Sequence, residues 1–194
     1  MFNKILIVAD SDIDFKDAGK ILEKISAINP FRDLVFSEGP LDVLDHASDF
    51  AGYGGKLGID LTTKLREEYN PGISSAGINL KEKTKKIADI TRRKIFNSPS
   101  GEPLLCLMNI RKYNSYTSDK FRDQLMTDND LREIPYLFYT DEYISLDNTH
   151  EFLWFFLNNI EVRRDIRIFR DENQKTHVII DGSSKIGENE EFPR

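Results

Sequence analysis

Residues 5–10 read Ile-Leu-Ile-Val-Ala-Asp, a short unbroken apolar run that ends in an acid. Such a run is typical of a strand buried on both faces. Downstream, Asp14 or Asp17 can cap a helix, and Asn29-Pro30 ends it because proline disfavours helical geometry in the residue before it. The helix carries one apolar stripe, consisting of Ala18, Ile21, Leu22, Ile25 and Ile28. The segment therefore predicts a strand followed by an amphipathic helix.

The next elements extend this alternation. A second strand is predicted at Leu34 to Phe36 and a third at Leu57 to Leu61. Between them, Pro40 is suited to the first turn of another helix, which would bury Leu41, Leu44 and Ala47. The order strand-helix-strand-helix-strand favours an α/β fold, in which a mostly parallel or mixed sheet is flanked by helices.

The middle of the chain is basic. Lysines and arginines from Lys81 to Lys94 surround Leu80, Ile87, Ile90 and Ile95, a pattern that predicts an amphipathic, solvent-facing helix. The later part returns to alternating elements. We predict strands at Leu104–Ile110 and Tyr136–Thr140, and helices at Ser118–Met126 and Asn148–Ile160.

Elements of the first part recur in the last part, in the same order. The segment Asn29 to Phe36 is echoed by Glu161 to Ile168, and each follows an amphipathic helix. The end of the third strand, Ile59 to Lys64, is echoed by Ile180 to Lys185. We therefore predict two similar βαβ halves in a single domain over 1–194, with half-repeats at 1–66 and 135–194 and a connecting segment at 67–134.

Composition narrows the class of protein. The chain has 194 residues, 39% of them hydrophobic and 31% charged, which argues against a disordered or a membrane protein. The net charge of −6 disfavours nucleic acid as a partner. A single cysteine, Cys106, excludes an internal disulfide and a multi-cysteine metal site. With no apolar run long enough to span a bilayer and no signal-peptide pattern, a cytoplasmic location is expected.

Two acids permit an enzymatic alternative. Asp10 and Asp12 match the Asp-x-Asp that follows a strand in haloacid-dehalogenase phosphatases, where the first acid attacks phosphorus and the second transfers the proton. Position 14 is Asp, whereas the phosphatase pattern has Thr or Val there. The alternative interpretation is structural: these carboxylates cap the helix that follows. The glycines at 52–55 lead into a strand, whereas phosphate-binding glycines follow a strand and open a helix. The three histidines lack metal-ligand spacing, so no catalytic, cofactor-binding or metal-binding residue is predicted.

Several segments together resemble a known family. They are Ile5–Asp14, Asn29–Asp33, Pro40–Asp45 and Gly54–Thr62, and in the second half Leu153-Trp154, Asn158–Ile160, Arg164–Ile166, Ile180–Ser183 and Phe192–Arg194. In order and spacing they are similar to the C-terminal region of the UbiD-type decarboxylases, especially of the long members associated with menaquinone and ubiquinone biosynthesis. The resemblance covers roughly residues 4–65 and 136–194.

The resemblance implies non-oxidative decarboxylation of aromatic or α,β-unsaturated acids, with prenylated FMN, manganese and potassium as cofactors of the whole enzyme. In that family the flavin-binding and catalytic side chains lie mostly in an N-terminal domain, so this segment is expected to be inactive alone and to bind none of these cofactors. Its expected partners are the flavin domain of the same polypeptide and other copies of itself. By position, the loop that helps to line the substrate pocket corresponds to Gly39, Pro40 and Leu41. A non-enzymatic interaction module remains a further alternative.

The apolar run from Phe152 to Leu157 makes one helix apolar almost all round. Such a helix lies in the centre of a core or is covered by another subunit. We therefore expect Trp154, within this run, to mark either the core or an oligomer interface.

Overall fold

The computed structural model describes residues 3–65, 87–114 and 116–185. The strands in this part of the chain are β1 (Ile5–Val8), β2 (Leu34–Pro40), β3 (Tyr53–Asp60), β4 (Ala88–Asn97), β5 (Pro103–Lys112), β6 (Tyr136–Asp141), β7 (Ile166–Arg170) and β8 (Thr176–Asp181). The helices are α1 (Ala18–Ala27), α2 (Pro30–Asp33), α3 (Ser118–Leu125), α4 (Thr149–Asn159) and α5 (Val162–Asp165), and Leu131–Glu133 forms a 3-10 turn.

The strands form two mixed sheets, with the orders β1-β3-β2 and β4-β5-β6-β8-β7. In the first sheet β1 is parallel to β3, and β2 is antiparallel to it. In the second sheet β5, β6 and β8 run parallel, with β4 and β7 antiparallel at the two edges. The predicted α/β class with a mixed sheet and flanking helices is confirmed.

One arrangement of elements occurs twice. The first unit, β1-α1-α2-β2-β3, and the second unit, β6-α4-α5-β7-β8, have the same strand directions and the same order within their sheets. The register also matches, because Ile5 pairs with Leu57 as Tyr136 pairs with Val178. The domain boundaries at 1–66, 67–134 and 135–194 remain a prediction, since they reach into residues outside the described ranges.

Two predicted helices are corrected. Part of the basic segment, Ala88–Asn97, is the edge strand β4, and the remainder of the predicted helix lies outside the described residues. Arg92 and Lys94 project from one face of β4 and both contact the carboxylate of Asp147. Edge strands commonly carry charged side chains, which prevent pairing with strands of other molecules. A basic segment is therefore compatible with an edge strand as well as with an exposed helix.

The helix predicted to begin at Pro40 is also wrong. Strand β2 continues through Pro40, and the chain then forms a loop of short turns. The Asp42 side chain accepts a hydrogen bond from the backbone N–H of Leu44, and the Asp45 side chain accepts one from Ala47. Such local bonds compete with the backbone bonds of a helix.

Two clusters of buried apolar residues hold the fold together. One lies where the two units meet, and includes Leu57 from β3 together with Phe152 and Phe156 from α4. The other lies on the opposite face of the second sheet, where Phe121 and Leu125 of α3 cover the strands. Because the first cluster takes residues from both units, their packing stabilises each against the other.

Candidate functional site

Each unit contains the same polar cluster at the carboxyl end of its last strand. In the first unit, Asp60 accepts hydrogen bonds from Thr62 and pairs with Lys64 at 2.6 Å. In the second unit, Asp181 accepts bonds from the N–H and hydroxyl of Ser183 and pairs with Lys185 at 2.9 Å. The acid, the hydroxyl and the lysine four residues after the acid therefore occupy equivalent places in the two units.

A second aspartate joins each cluster through its lysine, because Lys64 contacts Asp33 and Lys185 contacts Asp165, each at 3.4 Å. Arg32 holds Asp33 with two bonds, of 2.7 and 3.0 Å, and Arg164 holds Asp165 with two bonds, of 3.1 and 3.0 Å. A backbone hydrogen bond to each aspartate also recurs. Asp33 accepts a bond from the backbone N–H of Asn29, and Asp165 accepts one from the backbone N–H of Glu161.

The ionisation of these acids follows from their surroundings. Hydrogen bonds from Lys64 and Thr62 lower the pKa of Asp60 to about 2. Burial opposes ionisation of Asp181, but Lys185 and the hydroxyls of Ser118 and Ser183 outweigh it, so its pKa lies below the usual value. These two acids are held as carboxylates at neutral pH and serve as fixed acceptors.

The equivalent acids Asp33 and Asp165 shift in opposite directions. Burial raises the pKa of both, but at Asp33 the contacts with Arg32 and the Asn29 N–H prevail and lower it. At Asp165 burial prevails over Arg164, and the pKa is raised. The recurrence of this cluster in both units indicates a structural role at the junction of helix and strand.

The carboxylate of Asp10 is engaged in a similar cluster. Its Oδ2 accepts bonds from Lys24 Nζ at 2.8 Å and from the N–H and hydroxyl of Thr63 at 2.9 and 2.6 Å. These bonds, that from Lys24 foremost, lower the pKa of Asp10 to about 2. Asp12 lies exposed in the turn that follows, and Asp17 caps α1. A lysine and a threonine hold this carboxylate as Lys64 and Thr62 hold Asp60, which favours a structural role for Asp10 over the phosphatase alternative.

The segment Gly39-Pro40-Leu41 lies at the end of β2. Leu41 is only 2% exposed and packs where Gly54 has no side chain, while Pro40 is exposed. Leu41 therefore serves as an anchor, and the side chains that reach outward come later in the loop. The role of Gly39, Pro40 and Leu41 near a substrate remains a prediction.

We call residues 41–52 the anchored loop. Its base is held by both units, since Lys4 pairs with Asp45 at 2.7 Å and Arg164 bonds to Asp49 and to the Ala47 carbonyl. Its outer part carries apolar side chains that face solvent, with Val43 81% exposed, Leu44 74% and Phe50 72%. The sequence does not reveal this surface, because its pattern predicts that Leu44 lies on a helix with Leu41 and Ala47.

A second exposed apolar surface lies on α4. Phe152 and Phe156 are buried in the core between the units, as an apolar helix requires. Leu153, Trp154 and Leu157 face outward, and Trp154 is 68% exposed. A helix that is apolar on both its inner and outer faces leaves a surface of the kind that binds a partner.

No candidate metal site is found in the described residues. No group of three His, Cys, Asp or Glu side chains that could hold a metal ion occurs in 3–65, 87–114 and 116–185. His177 is buried, with Nδ1 3.1 Å from the Ile134 carbonyl oxygen, and Cys106 is buried as a free thiol. His177 and Cys106 therefore do not fit a manganese site, and we assign them no role in flavin chemistry. Among the described residues, no helix is both long and apolar enough to cross a bilayer.

Comparison with known proteins supports the sequence resemblance. Residues 1–61 match the model of the 3-octaprenyl-4-hydroxybenzoate carboxy-lyase C-terminal domain, the UbiD C-terminal domain. The predicted resemblance to the C-terminal domain of UbiD-type decarboxylases is thus confirmed for this part of the chain. The match includes β1, α1, α2, β2, the anchored loop and β3.

Two curated relatives extend the comparison. The chain is 44% identical over 66 residues to an uncharacterized protein of Aquifex aeolicus, covering 34% of this chain and 14% of that protein. It is 29% identical over 166 residues to an uncharacterized protein of Helicobacter pylori, covering 85% of this chain and 26% of that protein. The chain therefore spans about a quarter or less of the length of these relatives.

Solved structures of UbiD-class enzymes show a limited likeness. HmfF of Pelotomaculum thermopropionicum, solved with prFMN, aligns with a TM-score of 0.36 at 18% identity, over 43% of this chain and 18% of that chain. The vanillic acid decarboxylase of Sedimentibacter hydroxybenzoicus aligns with a TM-score of 0.37 at 14% identity, over 46% of this chain and 22% of that chain. The likeness of residues 1–61 to the UbiD C-terminal domain therefore rests on the sequence match alone.

Proposed function

We propose that this chain is the C-terminal module of a UbiD-type carboxy-lyase, which closes over a separate flavin-binding domain and mediates assembly. The substrate of the whole enzyme would be an aromatic or α,β-unsaturated carboxylic acid, in a cytoplasmic pathway such as quinone biosynthesis. Prenylated FMN, manganese and potassium would be held by the flavin-binding domain. The match of residues 1–61 to the UbiD C-terminal domain is the observation that carries this proposal.

The anchored loop is suited to contact the flavin domain. Its base is tied by the Lys4–Asp45 and Arg164–Asp49 ion pairs, and its apolar side chains point away from the core. A loop with a fixed base presents its exposed residues without a large loss of conformational entropy on binding. Val43, Leu44 and Phe50 would then lie on the partner, with Pro40 beside them.

The outer face of α4 is suited to bind a second copy. Leu153, Trp154 and Leu157 form an exposed apolar surface on a helix whose other face is fixed in the core. Tryptophan is among the residues that contribute most to the stability of protein interfaces. Lys4 Nζ contacts both Asp45 of the anchored loop and the Leu157 carbonyl of α4, so the two surfaces are neighbours, and each variant is measured for both assembly and contact with the flavin domain.

The experiment combines this chain with the flavin-binding domain of its cognate UbiD-type enzyme. Binding is measured by isothermal titration calorimetry, and decarboxylation by release of carbon dioxide. We expect Leu44→Glu to weaken the complex and lower activity, whereas Trp154→Glu lowers the molar mass in light scattering and leaves the first contact intact. Lys20→Glu, on the exposed side of α1, is the control for an added carboxylate.

The isolated chain is expected neither to bind flavin nor to turn over substrate. Flavin absorbance that co-purifies with the chain alone would contradict this part of the proposal. Magnesium-dependent hydrolysis of a phosphoester, lost in Asp10→Asn, would favour the phosphatase alternative instead.

A further inference from the structure

A cleft opens at the carboxyl edge of the second sheet. Strands β5, β6 and β8 are parallel, so their carboxyl ends lie at the same edge. After β5 the chain passes to α3, which packs on one face of the sheet through Phe121. After β6 it passes to α4, which packs on the other face through Phe156. Where successive connections leave toward opposite faces, a crevice forms between them, and such crevices are the usual ligand sites of α/β sheets.

The cleft has a volume of about 860 Å³, which is within the range of small-molecule sites. Its charged lining consists of the five cations Arg111, Lys112, Lys120, Arg164 and Lys185 and the three anions Asp141, Glu142 and Asp165. The chain as a whole has a net charge of −6. Four of the five cations are already paired with carboxylates, Arg111 with Glu142, Lys112 with Asp141, and Arg164 and Lys185 with Asp165. Within the described ranges Lys120 is therefore the cation of this lining whose charge is left to attract an anion.

Comparison with the first unit shows which side chains of the cleft belong to the repeated structural cluster and which are available to contact a ligand. Lys112 contacts Asp141 at 3.3 Å and Ser183 at 3.1 Å, which repeats the role of Lys24 beside Asp10. When Asn29 is matched with Glu161, the position that corresponds to Lys24 along α4 is Phe156, so Lys112 supplies the missing cation. The contact between Lys112 and Asp141 is thus part of the repeated structural cluster.

Lys120 makes no contact with this cluster within the described ranges, and Tyr143 contacts it only through its hydroxyl, which donates to Asp141 Oδ2 at 3.4 Å. Lys120 is exposed on the first turn of α3, and no hydrogen bond or ion pair of its ammonium is found within the described ranges. Tyr143 is 67% exposed, and its ring is held edge-on against Phe155 at a centroid distance of 5.6 Å. The two side chains line the same cleft, one as a cation and the other as a flat aromatic surface.

We propose that this cleft binds a small ring-bearing oxyanion, with Lys120 contacting the phosphate or carboxylate and Tyr143 packing against the ring. Charge-assisted bonds from a lysine and contact with an aromatic face are each stronger in a concave site with reduced water access. The proposal does not depend on the UbiD assignment, because it uses only the second sheet and its connections.

The test uses the full chain and three probes: adenosine 5′-monophosphate, benzoate and inorganic phosphate. Binding is measured by isothermal titration calorimetry at low salt. At least one of the two ring-bearing probes is expected to bind with a dissociation constant below about 10 mM, and inorganic phosphate more weakly. Which of the two binds more tightly identifies phosphate or carboxylate as the natural headgroup.

Variants decide whether binding occurs in this cleft. Lys120→Ala is expected to weaken binding about tenfold, as loss of a charge-assisted hydrogen bond does, and Tyr143→Ala by a few-fold. Lys20→Ala removes an equally exposed lysine from α1 and is expected to leave binding unchanged. The proposal is overturned if no ring-bearing probe binds the folded chain, or if Lys120→Ala and Lys20→Ala weaken binding equally.

Discussion

Glu161 connects the two units through both of its carboxylate oxygens, and its removal tests whether they stabilise each other. Oε1 accepts a bond of 2.8 Å from the N–H of Gly55 in β3, and Oε2 accepts one of 2.7 Å from the N–H of Arg164 in α5. A Cβ at position 55 would lie 2.6 Å from Oε1, which explains why glycine is required for this approach. The corresponding residue of the first unit, Asn29, caps α2 and accepts from Phe31.

The expected cost follows from these contacts. Glu161→Ala removes a helix cap, which costs about 0.5–2 kcal/mol. It also leaves the N–H of Gly55 unpaired in a buried place, which costs about 1–3 kcal/mol more. We therefore expect Glu161→Ala to lower the free energy of unfolding by about 2–4 kcal/mol, and Asn29→Ala, which loses only a cap, by about 1 kcal/mol.

Urea denaturation followed by circular dichroism measures both changes, and the slope m shows whether each variant unfolds in one step. Glu161→Gln keeps one acceptor oxygen and should fall between wild type and Glu161→Ala. If Glu161→Ala destabilises the protein no more than Asn29→Ala, the bond to Gly55 does not join the units as described.

Three further predictions concern the core, the thiol and the acids. Gly182→Ala is expected to lower the melting temperature markedly, because its Cβ would overlap the ring of Phe156; Gly58→Ala, where only ordinary contacts arise, is the control. Burial raises the pKa of Cys106 to about 11. A thiol reagent at pH 8 should therefore label Cys106 only after the protein unfolds, and rapid labelling of the native protein would contradict the burial of this thiol. The pKa of Asp60 is about 2 in the folded protein, below its unfolded value of about 4. Its ionised carboxylate therefore stabilises the fold fully above about pH 4, and this contribution is lost as the pH falls toward 2. In Asp60→Asn, acid denaturation should therefore lower the free energy of unfolding by less than in the wild type.

The sequence predicts those elements whose apolar pattern is compatible with only one type of secondary structure. Residues 5–9 have a strand's length and no polar interruption, and Asn148 precedes a helix whose N-terminal cap it forms. The predicted burial of the first strand on both faces is wrong, because β1 lies at the edge of its sheet and Leu6, Ile7 and Val8 are 44%, 44% and 48% exposed. The recurrence of an Arg-Asp pair after each helix points to the repeated cluster, because the same side chains make the same contacts in both places.

The two wrong helices had patterns with more than one meaning. A basic segment with scattered isoleucines suits an exposed helix as well as a charged edge strand, and only pairing with β5 decides between them. Pro40 suits the start of a helix as well as the end of an edge strand. The cleft was not predictable, because it depends on which face of the sheet α3 and α4 cover, which is a property of the three-dimensional packing.

We have proposed that this chain is a module that covers the flavin-binding domain of a decarboxylase. The most direct measurement is titration of the chain into its cognate flavin-binding domain, with release of carbon dioxide followed in the same samples. The account predicts association, a gain in activity over the flavin domain alone, and loss of both in Leu44→Glu. A flavin-binding domain that neither associates with the chain nor gains activity from it would contradict the account.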